Sequence, residues 1–482
     1  MSISSALNNA VSGLTANARI AEVTSSNLAN ALTDGYGRRS VDLSSIQAGN
    51  RGGGVRVDGI TRFSDAGLLA DRRLADASLQ GQERSTSALN RLEQILGGPE
   101  DPTSIGARIA AFENALISAS SDPASEMRMT TAVNRLKDVT QTLQDNTRTI
   151  QAMRQEADAA IARDINTLNS ALEQVAAMNA DITRLIGSGN DPSALIDARQ
   201  NVVDQIAGIV PIREVPRDSG AIGLITTSGT TLLDGQPVVF EFTPTPTITA
   251  DMSLASGALS GISRDGIPLD ATTGVRGLDG GSLGASFAMR DQTLVDVQDG
   301  LDSIAVDLIA RFQDPANDPT LNPGDLGVLT DSGGVLDLTD TVGLAGRITV
   351  NAAIDPAAGG DPTLLRDGLN AVAPGPVGNS AQLNNWIAAL DVPRADLPGA
   401  TTQTAAGRAA VFTAQLGATR LTADEQLSFT AARWDTLREA ELANGVDTDL
   451  ELQMLLRIEQ AYAANARVIQ TAEFMLQRLT EI

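Results

Sequence analysis

The chain lacks the residue types on which most enzyme chemistry at neutral pH depends. Its 482 residues include no histidine and no cysteine, and Lys137 is the only lysine. Without histidine there is no Ser-His-Asp triad and no imidazole to exchange protons near pH 7. Without cysteine there is neither a thiol nucleophile nor a zinc–thiolate site. A P-loop is excluded as well, because its Gly-x-x-x-x-Gly-Lys-Ser/Thr pattern does not occur.

Carboxylates are the remaining groups with catalytic or metal-binding chemistry. They cluster at Asp314, Asp318 and Asp325 and again at Asp447, Asp449 and Glu451. Neither cluster has the spacing of an EF-hand, with its central glycine and terminal glutamate, so we interpret both as solvated turns. The sequence therefore predicts no enzyme and no cofactor, with no catalytic, cofactor-binding or metal-binding residues.

Long apolar runs and aromatic residues are also scarce. Aromatics make up 3% of the chain, and no apolar run approaches 18 residues, so we expect aliphatic cores and no membrane-spanning helix. The first residues have neither a basic region nor a continuous apolar segment, which argues against a cleaved secretory signal. This predicts a cytoplasmic protein unless the chain leaves the cell by a route that reads no such signal.

Positive charge is scarce, and the net charge of −24 is unevenly distributed. Residues 186–444 hold 14 basic and 32 acidic side chains, whereas the two ends are close to neutral. A nucleic acid is a poor partner for such a chain, because no basic stripe is available to displace phosphate counterions. We expect the middle to be a solvated surface and the ends to be packing surfaces.

Heptad patterns occur at both ends of the chain. Near the C-terminus, apolar positions step by three and four with one asparagine among them: Leu455, Ile458, Tyr462, Asn465, Ile469, Ala472, Leu476 and Leu479. The N-terminal pattern is Ile3, Leu7, Ala10, Leu14, Asn17, Ala21, Thr24, Leu28 and Ala31. Such seams bury themselves against a partner helix, so the two ends are predicted to pair.

The interior is predicted to be mostly helical. A stretch without proline or glycine over about 124–186 predicts one long helix, and strand patterns occur at 55–60 and between 222 and 242. The predicted fold is mainly α with β-containing outer parts: paired terminal coiled-coil helices, a long helical bundle body and a small mixed or β insert. The predicted domains are a terminal coiled-coil assembly domain (1–33 plus 445–482), a linker (34–54, with a flexible loop at 49–54), an α-rich body (55–312 plus 401–444, with a β segment at about 209–265) and an inserted outer domain (313–400).

Two segments near the termini resemble the signature of bacterial flagellar axial proteins. Ser25–Asn30 followed by Asp34–Arg39 is similar to its N-terminal half, and Gln460–Ala472 is similar to its C-terminal half. This sequence departs from the pattern at Ala31–Asp34 and in its doubled arginine, Arg38-Arg39.

The interior resembles one family among these, the hook-associated protein 1 family. The Gly52–Val57 segment, the helical stretch 65–186, and the short motifs Ser121–Arg128 and Leu195–Gln200 are similar to that family's body. The resemblance covers most of residues 1–240 and 400–482 and is weak across 313–400.

The resemblance implies a structural subunit that joins hook to filament as an adaptor ring at the hook–filament junction. Expected partners are further copies of the chain in a ring or helical turn, the hook protein, a second hook–filament junction protein and a flagellar export chaperone, with no nucleic acid and no membrane. The expected location is the extracellular flagellum, reached through the flagellar secretion apparatus without a cleaved signal. The implied assembly interface has apolar members that pack an inner layer, asparagines that satisfy polar groups there, and a turn: Leu7, Leu14, Leu28, Leu455, Ile458, Tyr462, Ile469 and Leu476; Asn27, Asn30 and Asn465; Gly35 and Tyr36.

Other functions fit parts of the sequence. A hook or distal rod subunit shares the terminal signature, although the helical body at 65–186 argues against it. A carboxylate-dependent hydrolase or sugar-binding protein would use the 313–400 insert. A cytoplasmic coiled-coil adaptor would use only the terminal helices.

Overall fold

The computed structural model describes residues 3–33, 35–48, 51–98, 100–269, 277–395 and 401–480. The sequence predictions at Asp34, at residues 49–50, at residues 396–400 of the predicted insert and at the side chain of Leu479 lie outside these residues, as do the extreme ends 1–2 and 481–482.

The fold is mainly α, which confirms the predicted class. The helices are α1 (Ile3–Ala29), α2 (Ala66–Leu96), α3 (Ile105–Ser121), α4 (Glu126–Gly187), α5 (Ser193–Ile209), α6 (Gly281–Ala288), α7 (Leu294–Phe312), α8 (Leu364–Asp367), α9 (Ala381–Asp391), α10 (Ala405–Ala443) and α11 (Thr448–Thr480). The strands are β1 (Arg39–Ala48), β2 (Arg51–Arg62), β3 (Ile212–Pro216), β4 (Ile222–Thr226), β5 (Thr231–Asp234), β6 (Gln236–Pro237), β7 (Phe240–Glu241), β8 (Ser263–Arg264), β9 (Ile267–Pro268), β10 (Leu329–Asp331) and β11 (Ile348–Val350). The predicted long helix is α4, which continues for 62 residues.

The chain divides into two compact units. The first unit contains Met1–Gln80, Asn166–Val239 and Phe429–Ile482, and the second contains Gly81–Ile165 and Phe240–Ser428.

In the first unit, a polar side chain from the apolar seam of α4 fixes the four-stranded antiparallel sheet β3-β4-β5-β6. Asn179 is 7% exposed, donates to the carbonyl of Ile222 (2.8 Å) and accepts from the N–H of the same residue (3.1 Å). Its amide oxygen also accepts from Arg199 of α5 at 2.7 Å. Asn179 thus satisfies the backbone where β4 begins, which explains an asparagine in a seam otherwise filled by aliphatic residues.

Residues 51–54 of the first unit form part of a β-hairpin, although their glycines suggest a loop. The sequence predicts a flexible loop over residues 49–54, but β2 begins at Arg51 and pairs antiparallel with β1. Gly54 has φ +104°, and a Cβ there would run into Ser12 of α1. The Val55 N–H donates to the Ser12 hydroxyl at 3.2 Å. The flexible-loop prediction is therefore wrong for residues 51–54, because pairing with β1 and close contact with α1 hold glycines that are mobile in isolation.

The second unit is built around one apolar core. Helices α3, α4 and α7 supply most of it, and Phe312 of α7 lies at its centre, with ring centroids 5.8 Å from Phe112 and 5.4 Å from Trp386. Trp386 is fully buried and donates its indole N–H to the Leu365 carbonyl at 3.2 Å. The segment predicted as an insert contributes Leu321, Val328, Leu344 and others to this same core. Its role as an outer domain stays a prediction.

A single turn of π-helix, Met289–Thr293, joins α6 to α7 in the second unit. It contains Arg290, which is fully buried and pairs with Asp158 of α4 at 2.6 Å and with Asp291 at 2.8 Å. Arg154 of α4 donates to the Arg290 carbonyl at 3.0 Å. Two guanidinium groups therefore lie inside this unit with their hydrogen bonds satisfied, which is the condition for burying charge without a large loss of stability.

The backbone passes very close to itself in the second unit at Gly327. A Cβ added there would lie 2.6 Å from the carbonyl carbon of Phe312, at the end of α7. We expect Gly327→Ala to lower the free energy of unfolding by about 1–3 kcal/mol, because the backbone of α7 has to shift to accept a methyl group. Chemical denaturation of the full chain measures this.

The control is Gly378→Ala in the same unit, where an added Cβ meets nothing within 4 Å. Equal stability of the two variants would show that the approach at Gly327 is not tight.

Candidate assembly site at the paired chain ends

The two terminal helices pack against each other in an antiparallel pair within the first unit. Gly13, near the middle of α1, faces Asn465 of α11, and a Cβ on Gly13 would lie 2.8 Å from the Asn465 side-chain nitrogen. Arg38, beyond the end of α1, reaches Glu451 in the first turn of α11. The predicted pairing of the ends therefore occurs within one chain.

The predicted interface residues fall into three groups by burial. Asn27 and Ile458 are buried, with 1% and 7% exposure. Half-buried members are Leu7, Leu14, Leu28, Asn30, Gly35, Tyr36, Leu455, Asn465 and Ile469. Tyr462 and Leu476 remain 50% and 44% exposed, so the α1–α11 contact does not cover them. The buried seam itself is completed by small residues, Ala10, Ala16 and Ala472.

Helix α11 exposes many more apolar side chains than the single heptad seam predicts. Those at least 39% exposed and outside the predicted interface are Leu450, Leu452, Met454, Leu456, Val468, Phe474 and Met475. At 100° per residue, Leu452, Leu456 and Phe474 form one stripe, and Leu450, Val468 and Met475 form another, on either side of the stripe that faces α1. A search for one seam misses them, whereas a count of apolar residues around the whole helix would have found them.

Asn27 fastens the end of α1 to the start of the hairpin. Its amide nitrogen donates to the carbonyl of Arg39 (2.8 Å), and its oxygen accepts from the Arg39 N–H (3.0 Å) and from the Tyr36 hydroxyl (2.9 Å). Asn30, in contrast, donates back along its own helix to the Ser26 carbonyl at 2.9 Å. The two asparagines of the same sequence motif thus have different roles, and only Asn27 joins separate elements.

The turn between α1 and the hairpin, Gly35–Arg39, is held from the other side by Asp197 of α5. This carboxylate accepts from the Gly37 N–H at 3.1 Å, from Arg62 at 2.6 Å and from Arg39. Gly35 has φ +75°, and a Cβ there would lie 2.9 Å from the side-chain carbon of Asn201 on α5. The Gly35–Arg39 turn therefore needs glycine both for its left-handed backbone and for its close contact with α5.

The C-terminal acidic cluster has defined structural roles. Asp447 accepts from the backbone N–H groups of Asp449 (2.9 Å) and Leu450 (3.0 Å), which caps the start of α11. The solvated-turn prediction is wrong for Glu451, which is 3% exposed and pairs with Arg38 at 2.8 Å. Carboxylates are also favoured in the first turn of a helix by the helix dipole.

The other acidic cluster lies in the second unit. Asp314 and Asp325 cap turns, whereas Asp318 is fully buried and also binds a distant backbone N–H, so the solvated-turn prediction is wrong for Asp318. Asp314 accepts from the Ala316 N–H (2.9 Å), Asp318 from the Thr320 and Leu369 N–H groups (3.0 and 2.9 Å), and Asp325 from the Asn322 N–H (2.7 Å). Within the described ranges, no three acidic side chains come together in a way that could hold a metal ion.

A cavity of about 140 Å³ lies beside the Gly35–Arg39 turn, and three charged residues of its lining pair with one another. Arg72 of α2 bridges Asp204 of α5 (2.5 Å) and Glu441 of α10 (2.9 Å). Arg73 pairs with Asp204 and with Glu214 of β3. Burial alone would lower the pKa of Arg73, but these two carboxylates outweigh it and raise the pKa. The pairs cross-link α2, α5, β3 and α10 under the terminal helices.

Within the part of the chain that the structure describes, no helix combines the length and the apolar character needed to cross a membrane.

Asn27 should be much more important for stability than Asn30. We expect Asn27→Ala to lower the free energy of unfolding by about 2–4 kcal/mol, since it removes the partner of the partly buried N–H and carbonyl of Arg39. Asn30→Ala, the matched control, should cost less than about 1 kcal/mol, because its bonds to the Ser26 carbonyl and from the Thr33 hydroxyl are both local. Urea denaturation followed by circular dichroism measures both, and similar losses would contradict the assigned role of Asn27.

Comparisons with known proteins agree with this arrangement of ends and body. The model of the family described as "Flagellar hook-associated protein FlgK helical domain" matches residues 89–321. The model described as "Flagella basal body rod protein" matches residues 7–36, and the model described as "Flagellar basal body rod FlgEFG protein C-terminal" matches residues 443–482. The two terminal matches contain the residues that pair α1 with α11.

Two individual relatives are both named flagellar hook-associated protein 1. The flagellar hook-associated protein 1 of Escherichia coli (strain K12) is 26% identical over 324 residues, which cover 64% of this chain and 56% of that protein. The flagellar hook-associated protein 1 of Bacillus subtilis (strain 168) is 25% identical over 223 residues, 44% of each chain. This chain therefore spans about half the length of the curated relatives that it matches, 56% of the first and 44% of the second.

A solved structure, that of the flagellar hook junction protein FlgK from Burkholderia pseudomallei, aligns with a TM-score of 0.45 and 19% identity over 56% of this chain and 47% of that one. The family-model match to the body, the matches at both ends and the named relatives make the chain similar to the flagellar hook-associated protein 1 family and together support that family for it.

Proposed function

We propose that this protein is a structural subunit of the bacterial flagellum that joins hook to filament as an adaptor ring at the hook–filament junction. The observation that carries the proposal is the apolar surface of α11, which extends well beyond the part covered by α1. Contiguous exposed apolar surface of this kind marks a site of protein association.

The arrangement of that surface favours a ring or helical row over a closed dimer. A two-fold dimer buries the same patch on both subunits, whereas two different patches allow each copy to contact two neighbours. The two exposed apolar stripes of α11 flank the surface that contacts α1, one on each side of it. One stripe contains Leu452, Leu456 and Phe474, and the other contains Leu450, Val468 and Met475. Each copy would therefore offer one stripe to each neighbour, and Tyr462 and Leu476 would be covered in the assembly.

The proposed organisation follows from this contact. Residues 1–33 and 445–482 form the assembly domain, residues 34–54 lead from it to the α-rich body, and 313–400 is an outer domain facing solvent. Proposed partners are further copies of the chain, the hook protein, a second hook–filament junction protein and a flagellar export chaperone. Export through the flagellar secretion apparatus, without a cleaved signal, places the protein outside the cell. We propose no catalytic step, cofactor, nucleic acid or membrane for this role.

A hook or distal rod subunit is the second candidate. It is supported by the rod-protein models that match residues 7–36 and 443–482. The two candidates differ in their position along the flagellum, which a deletion strain separates.

A strain lacking this protein should assemble complete hooks without filaments and release filament subunits into the medium. Electron microscopy of the cell envelope and a gel of the culture supernatant measure the two effects. Missing hooks would instead support the rod or hook candidate. Normal filaments in the deletion strain would exclude both.

Exposed members of the interface should matter for assembly and not for folding of the single chain. We expect Tyr462→Asp and Leu476→Asp, introduced together into the deletion strain, to abolish filament attachment while leaving export and thermal stability nearly unchanged. The stability change should stay within about 0.5 kcal/mol, because both side chains are about half exposed in one chain.

The matched control is Gln453→Asp, an exposed polar position on the same helix that lies between the two stripes, on the side away from α1, and should retain filaments. Normal filaments in the Tyr462/Leu476 double variant would contradict an interface on this face of α11.

A further inference from the structure

The doubled arginine, Arg38-Arg39, has two partners on two different elements. Arg38 pairs with Glu451 in the first turn of α11 at 2.8 Å, and Arg39 pairs with Asp197 of α5. The two residues are adjacent in sequence, but their partners come from helices that begin at residues 193 and 448. One short turn therefore connects the start of the C-terminal helix with the body of the first unit.

The backbone of this turn has little freedom of its own. Asn27 binds both the N–H and the carbonyl of Arg39, and Asp197 binds the Gly37 N–H in addition to the Arg39 guanidinium. Arg62, on the opposite strand of the hairpin, shares Asp197 and also donates to Gln200 at 2.6 Å. A displacement of Asp197 would thus move the turn, and with it the side chain of Arg38.

The pair with α11 is asymmetric in its burial. The side chain of Glu451 is 3% exposed, whereas that of Arg38 is 35% exposed. Removing Arg38 leaves a buried carboxylate without its counter-charge, while removing Glu451 leaves an arginine that can reach water. Loss of Arg38 should therefore destabilise the start of α11 more than loss of Glu451 does.

We infer that Arg38 and Arg39 form a two-sided latch, in which Arg39 and Asp197 position the turn so that Arg38 can hold Glu451 and order the start of α11. Asp197 is then a positioning residue for a helix through the turn that it binds. The consequence for assembly rests on the proposed function: the latch fixes the direction in which α11 leaves the body and so aligns its apolar stripes with those of neighbouring copies.

Amide hydrogen exchange of the purified full-length chain tests the latch without reference to assembly. We expect Arg38→Ala to accelerate exchange in the first two turns of α11 by about tenfold, and Glu451→Gln to accelerate it less. Asp197→Asn should accelerate exchange of these same α11 amides several-fold, which a purely local role on α5 would not do. The control is Glu22→Gln, which removes the exposed pair of Arg19 and Glu22 on α1 and should change nothing in α11.

Two combined variants sharpen the test. The charge swap Arg38→Glu with Glu451→Arg should recover most of the protection that either single change loses. Asp197→Asn combined with Glu451→Gln should accelerate exchange by less than the product of the single effects, since both act through one turn. The latch is overturned if Asp197→Asn leaves α11 unchanged, if the swap does not recover protection, or if the two effects simply multiply.

Failure of the latch is distinguishable from failure of the proposed function. The deletion strain tests the junction role with no dependence on these residues, and exchange tests the latch with no dependence on flagella. Filaments attached normally in cells carrying Asp197→Asn, despite faster exchange in α11, would overturn the role of the latch in assembly.

Discussion

The architecture of the first unit depends on how the chain leaves α1. A helix that ends at Ala29 must reverse, pass into a hairpin and still leave room for a second terminal helix arriving from the far end of the sequence. The carboxamide of Asn27 stabilises this path of the chain, because it binds both polar groups of the Arg39 backbone and the Tyr36 hydroxyl. Because a buried peptide group without a partner is costly, these bonds leave one arrangement of helix end and hairpin start.

Ion pairs between arginine and acidic side chains connect many of the elements of this protein. Histidine and cysteine are absent, so polar cross-links are made mostly by arginine with aspartate or glutamate. Such pairs bind the terminal turn to α5 and α11, and others hold Arg290 inside the second unit. Arginine suits this task because its guanidinium stays charged and offers several donors in a fixed plane. These pairs specify which elements meet, while aliphatic packing supplies the bulk of the stability.

The sequence predicted the helical elements well where their pattern was long and regular. The α4 helix, both terminal helices and their pairing follow from periodic apolar positions, since helix geometry places residues three and four apart on one face. Short patterns were less informative. The glycines at 52–54 suggested a loop, and a strand contains them because β1 and α1 lie alongside. The contribution of residues 321–369 to the core of the second unit was also not predictable, because those side chains lie far in sequence from the helices that they contact.

For the candidate site, the sequence alone determined that two helices at opposite ends would pair, that Asn27, Gly35 and Tyr36 belong to one signature, and that catalysis by histidine or cysteine is excluded. These conclusions depend on residue type and local spacing, which are present in the linear chain. Only the tertiary structure decided that Asp197 meets the turn, that Glu451 pairs with Arg38, and that α1 leaves the further apolar side chains of α11 uncovered. Such contacts join residues separated by more than 100 positions, and no periodicity in the sequence specifies which distant partner a charged side chain will find.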